Sequence, residues 1–147
     1  MDKLELILPT SIKNELIEHA KSLAPIESCG YLSGNNDTVT RFFPMTNIDH
    51  SPEHFSFDPK EQFAVVKDVR NQNEKIMAVY HSHPETPARL SDEDIRLFND
   101  PDPVYIIVSL KDAEAQINGF KVEKPNENEI KILKVNLIIK DDNNEIL

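Results

Sequence analysis

What most limits the fold of this chain is the stretch from Lys75 to Phe98, because three local structures follow one another in it without a gap. Lys75-Ile76-Met77-Ala78-Val79-Tyr80 is an apolar run bounded by polar residues and predicts a buried strand. If the strand continues through His81 and His83, these side chains lie two apart on one face and aim both imidazoles at one point. Pro84 and Pro87 stop the strand and stiffen a short turn. Ser91, then Asp92, Glu93 and Asp94, then Ile95, Leu97 and Phe98, predict a helix start with Ser91 as its N-cap. Strand, tight loop and helix start together bring an acidic side chain of the first helical turn back to the two histidines. Two neutral imidazoles and one carboxylate make three ligands of a tetrahedral zinc ion and leave the fourth position open, as a hydrolytic site requires.

His81-Ser82-His83-Pro84, six residues, Ser91, two residues, Asp94 resembles the JAMM signature of MPN-domain metalloproteases, HxHPx6SxxD, at every defined position. The resemblance implies that His81, His83 and Asp94 bind one zinc ion and that Ser91 helps to hold the tetrahedral intermediate. Asp92 and Glu93 suit the electropositive end of a helix without any ligand role. The family also requires a glutamate upstream. Pro25-Ile26-Glu27-Ser28-Cys29-Gly30-Tyr31-Leu32-Ser33-Gly34 is similar to the Pro-x-Glu-x-Cys-Gly-x-Leu-x-Gly run of prokaryotic JAMM proteins, which implies that Glu27 is the general base. Without that comparison, Glu27 reads as an exposed carboxylate at a helix–strand junction. Cys29 is expected to be a small buried hydrophobe, since another thiolate would fill the position that water must occupy.

Around these segments the chain reads as alternating strands and helices. Leu4 to Leu8 predicts a strand, and Thr10 or Ser11 a cap for a helix whose Ile12, Leu16, Ala20 and Leu23 form one apolar face. His19 falls on the polar side of that helix and is expected in solvent. Asn35-Asn36-Asp37 predicts a turn joining the Cys29 strand to a strand from Thr38 to Phe43. His50 and His54 lie in an irregular segment and are expected at the surface or the cleft rim. Asp58-Pro59-Lys60-Glu61 predicts a helix start in which Glu61 bonds back to the Asp58 amide, with Phe63, Val66 and Val69 or Arg70 on its apolar face. Beyond Phe98, strands are expected from Val104 to Leu110 and Ala115 to Val122. A last strand from Ile130 to Ile139 changes apolar phase near Leu133-Lys134, which suggests a β-bulge. Asp141 to Glu145 is expected to fray.

This order predicts an α/β chain with a mixed sheet and helices packed around it. The resemblance implies the MPN fold, a cytidine-deaminase-like three-layer arrangement in which a central mixed β-sheet is flanked by helices. At 147 residues, one JAMM/MPN domain over 1–147 is expected. The net charge of -10 argues against nucleic acid, whose phosphates are held by basic side chains. A deaminase would need a Pro-Cys-x-x-Cys motif, and the chain has one cysteine. That cysteine count, with no apolar leader or membrane-length run, points to the cytoplasm and away from a membrane. The substrate implied by the prokaryotic branch is the C-terminal di-glycine tail of a small ubiquitin-like sulfur-carrier protein. A general isopeptidase for ubiquitin-like conjugates would use the same residues. A non-catalytic MPN scaffold usually lacks part of the metal set, and the whole set is present here.

Overall fold

The computed structural model describes residues 4–142. Seven strands and three helices follow in the order β1 (Glu5–Pro9), α1 (Thr10–Leu23), β2 (Cys29–Asn35), β3 (Thr38–Met45), α2 (Pro59–Asn71), β4 (Lys75–His83), α3 (Asp92–Leu97), β5 (Val104–Ser109), β6 (Gln116–Asn126) and β7 (Glu129–Lys140). The expected mixed sheet is present, and it closes on itself in the order β1-β3-β2-β4-β5-β6-β7. β1 runs parallel to β3 and β7, and β4 parallel to β5; every other pairing is antiparallel. Asn36 and Asp37 both take positive φ in the β2–β3 turn, the backbone of a two-residue hairpin whose twist matches its strands.

Strand alternation sorts the core onto two faces. Leu32, Ala78, Tyr80, Ile106 and Val108 pack with Ile12, Leu16 and Ala20 of α1. Their neighbours one residue away point the other way: Cys29 and Tyr31 meet Val65 and Val66 of α2, and Val79 and Tyr105 meet Phe98 at the end of α3. Helix, sheet and helices thus form three layers. β4 and β5 are covered on both faces, so their sequences run apolar without alternating.

Several local expectations are corrected. α1 begins at Thr10 and draws its cap from the far end of the chain, where Asp142 accepts from the Ser11 amide at 3.0 Å and Asp141 from Thr10 Oγ1 at 3.1 Å. The first two residues of the expected frayed tail are therefore docked on the helix N-terminus, where negative charge is favoured; the rest of that tail lies outside the described residues. Glu61 caps nothing on its own helix. It holds Thr46 N and Oγ1, each at 2.8 Å, and ties β3 to α2. Phe63 is 73% exposed, because α2 turns Val65 to the sheet in its place, beside the expected Val66 and Val69. β6 and β7 pair without a break from Gly119↔Val135 to Glu123↔Lys131, so the phase change at Leu133-Lys134 makes no bulge. The irregularity falls between Glu123 and Asn126, and Ile130 and Ile132 stay exposed on the far end of the hairpin.

Candidate metal centre

β4 delivers the two histidines as its alternation requires. Val79, His81 and His83 share the face turned to α2 and α3, and His81 is fully buried, its backbone in register between Cys29 and Ile107. The connection to α3 is held down at three points: Leu110 N donates to His83 O at 3.1 Å, Ser109 Oγ to Thr86 O at 2.5 Å, and Asn118 Nδ2 to Ala88 O at 2.8 Å. Ser91 then caps α3 reciprocally. Its Oγ accepts from Asp94 N and Asp94 Oδ2 accepts from Ser91 N, both at 3.0 Å. This capping box turns the Asp94 carboxylate back over the strand end. The same Oδ2 lies 3.0 Å from His83 Nε2 and 3.3 Å from His81 Nε2, and the two Nε2 atoms are 3.1 Å apart.

The donor chemistry tests whether a cation fits there. His83 Nδ1 is 2.8 Å from Pro87 O, which only accepts, so Nδ1 carries the proton and a neutral ring presents its Nε2 lone pair to the cluster. With His81 also neutral, two nitrogen lone pairs and a carboxylate oxygen crowd one spot, an arrangement that a divalent cation with a taste for nitrogen and oxygen relieves. From the other side comes Glu27, 3% exposed, whose Oε1 is buried with no hydrogen-bond partner. Glu27, His81 and His83 offer ligand atoms within 4.8 Å of one another. The residues present therefore fit a metal ion.

Environment drives the two carboxylates apart. Burial pushes Glu27 up to about 8, reinforced by the nearby Asp94 charge and opposed by His83. Burial opposes ionisation of Asp94 too, but with no cation bound, when Nε2 protons face the carboxylate, bonds from His81 and His83 prevail and hold it well below the usual carboxylate range. Burial lowers His81, whereas at His83 the bonds to Asp94 and Pro87 outweigh burial and raise it.

A cleft of about 380 Å³ opens onto this cluster, lined by Glu27, Glu53, His54, His83, Ser91 and Glu93 among others. Ser91 accepts the cap bond and keeps its own hydroxyl proton to donate. His54 sits at the rim with Nδ1 3.0 Å from Asp49 Oδ2, and neither it nor His50 enters the metal cluster. Glu85 is exposed in the loop. His19 departs from expectation: it is half-buried against the Phe42 and Tyr80 rings, with centroids 5.6 and 5.9 Å away, and burial lowers its pKa. Cys29 is fully buried, and burial pushes its thiol up to about 12. Thiol reagents are accordingly expected to leave Cys29 unmodified in the native protein and to label it once on unfolding, as mass spectrometry after brief exposure would show.

Sequence reasoning missed the packing that orients the site. His81 Nδ1 has no hydrogen-bond partner; its ring instead stacks on Phe55 at 5.0 Å and meets Phe98 edge-on at 5.5 Å. Beneath the site, Ser28 N donates to Ser82 Oγ at 2.8 Å and Ser28 Oγ bonds Tyr80 OH, fastening the Glu27 segment to β4. The available signal was polarity at strand positions whose alternation faces the core.

Residues 9–121 match the family described as prokaryotic homologs of the JAB domain. The chain belongs to the prokaryotic JAB family. This JAB chain is 35% identical to the CysO-cysteine peptidase of Mycobacterium tuberculosis over 129 residues, 82% of its own length and 88% of the relative's. It is 30% identical to the desampylase of Haloferax volcanii over 116 residues, 74% of its length and 84% of the relative's. A solution structure from Desulfitobacterium hafniense superposes with a TM-score of 0.81 at 37% identity, covering 93% of the JAB chain and 94% of the other. A JAB1/MPN domain protein of Archaeoglobus fulgidus, at 22% identity, shares the fold with a TM-score of 0.54 over 92% of this chain and 98% of its own.

Proposed function

We propose that this JAB-family protein is a zinc-dependent peptidase. In this reading, one domain spanning 1–147 hydrolyses a peptide or isopeptide bond at the C-terminal tail of a small ubiquitin-like sulfur-carrier protein and exposes its di-glycine end. One observation carries the reading: Asp94 Oδ2 and both Nε2 atoms converge within 3.3 Å, and Glu27 offers a ligand atom within 4.8 Å of those of His81 and His83. The named activities of its relatives, a CysO-cysteine peptidase and a desampylase, support the same choice of substrate. No helix among the described residues is long and apolar enough to cross a membrane, and residence in the cytoplasm forms part of the proposal.

A zinc ion held by His81, His83 and Asp94 would polarise the scissile carbonyl and acidify the attacking water. The Glu27 carboxylate takes a proton from the attacking water and returns it to the leaving amine. Beside a bound cation the ionised form of Glu27 is favoured over the neutral acid, as accepting that proton requires. Ser91 Oγ, with its proton free, donates to the developing oxyanion, a role whose removal typically costs roughly 10²–10³ in rate. Elemental analysis of the purified protein is expected to find about one zinc per chain, as three protein ligands and one open position imply. Mass spectrometry then follows two probes: a ubiquitin-like protein extended by one residue past Gly-Gly, and the same protein joined through Gly-Gly to a lysine. Cleavage of neither by the zinc-loaded protein would sink the reading.

A further inference from the structure

We infer that Asn47 is a positioning residue for the general base. The inference rests on the reading of Glu27 above. Asn47 is 4% exposed, and all four of its side-chain bonds are made. Its Nδ2 donates to Glu27 O and to His54 O, each at 3.0 Å, and its Oδ1 accepts from Asp49 N at 3.0 Å and Ser56 N at 3.2 Å. One amide thus closes the loop from Ile48 to Ser56 on itself and clasps it to the backbone of Glu27. The clasp has a second strand, since Glu27 N donates to Ser51 O at 2.9 Å. Glu27 precedes β2 and lies outside the sheet ladder, so nothing in the strand pairing fixes its carbonyl. Oε1 of its carboxylate has no hydrogen-bond partner among the described residues either. The aim of the base therefore depends on its backbone, which is gripped by Asn47 and Ser51 on one side and through Ser28 and Ser82 on the other. The loop that Asn47 closes also carries Glu53 and His54 into the cleft, so the same amide couples the base to the substrate wall.

Misplacement of a catalytic group by about 1 Å costs roughly 10²-fold in rate while leaving substrate contacts largely intact. With the one-residue-extended ubiquitin-like protein as probe, Asn47→Ala is expected to lower kcat by about 10²-fold with KM within about threefold and zinc content unchanged. Asn47→Ser, which keeps one donor, should fall between Ala and wild type and carries the test if the Ala variant does not fold. Amide exchange provides a readout independent of activity: the Glu27 amide should exchange about tenfold faster in either variant, with the β4 amides unchanged. An undiminished kcat, or a loss in which KM, zinc content and melting temperature all move together, overturns the inference, as does an unaltered Glu27 amide. If wild type cleaves no probe, the functional reading fails and amide exchange alone decides whether Asn47 clasps Glu27.

Discussion

Glu27→Gln is expected to abolish cleavage while zinc stays bound, and to make the metal-free protein more stable at pH 8 than wild type. Loss of the proton carrier removes general acid–base catalysis, about 10²–10⁴ in rate. The ligand atoms of His81, His83 and Asp94 are untouched, so zinc content should match wild type. The stability gain follows from the sign of the shift. Burial raises the folded pKa of Glu27 to about 8 from an ordinary value of 4.5, so between those values the folded chain binds a proton that the unfolded chain has lost. Wild-type stability therefore falls as pH rises through this window, whereas the amide of Gln does not titrate. At about 1.4 kcal/mol per pH unit, the gap between variant and wild type should be near zero at pH 4.5 and reach a few kcal/mol by pH 8. Thermal melts of the metal-free proteins at both pH values, with cleavage assays on the loaded ones, read out both halves. Undiminished cleavage would remove Glu27 from the mechanism; a stability gap that ignores pH would show that its carboxylate is not held near 8.

Both outcomes together would set stability against activity at this one position, a trade-off common at catalytic groups. A carboxylate with satisfied partners would be cheaper to bury and useless as a base. Glu27 is buried beside the loop that Asn47 clasps to its backbone, and its Oε1 has no hydrogen-bond partner among the described residues.

The convergence of His81, His83 and Asp94 was legible in the sequence because each of these side chains is placed by local rules. His81 and His83 are set by the period of two along β4, and Asp94 by its distance of three from the Ser91 cap. Short-range geometry of this kind survives any tertiary arrangement. The parts that were not legible are placed by distant segments. Asp142 reaches back across the whole chain to cap α1, and Glu61 forsakes its own helix for Thr46. α2 shows the limit most plainly: its sequence allows an apolar face through Phe63, Val66 and Val69, and docking against Cys29, Tyr31 and Met45 keeps Val66 but takes Val65 in place of Phe63. His19 sits on the polar side of α1 by count, yet that helix lies deep enough over the sheet for Phe42 and Tyr80 to cover its ring. The aromatic packing on His81 has no sequence signature either, because Phe55 and Phe98 reach it from an irregular loop and a helix end.

Asp94 joins the two halves of this picture, and its removal is expected to separate them. In Asp94→Ala the proposed zinc site loses its anionic ligand and, in the metal-free protein, both imidazoles lose their shared acceptor. Zinc affinity should drop by more than the 10–100-fold typical of a lost outer partner. The fold is expected to weaken as well, because the carboxylate also accepts from Ser91 N, and an N-terminal cap contributes about 1 kcal/mol. In the metal-free protein a further loss of about 1–3 kcal/mol follows from stranding the buried histidines. That part depends on pH: Asp94 raises His83, so the pair stabilises the fold while His83 is protonated and the contribution fades as pH rises through the raised value. Asp94→Asn distinguishes the roles. Its amide oxygen still accepts from Ser91 N and preserves the cap, but a neutral oxygen is a weak third ligand. Zinc titration and metal-free melting of both variants should therefore show Asn close to wild type in capping stability and close to Ala in metal binding. Equal zinc affinity in wild type and Asp94→Asn would show that the carboxylate serves the helix alone, and a tetrahedral site built on His81 and His83 would need another acid.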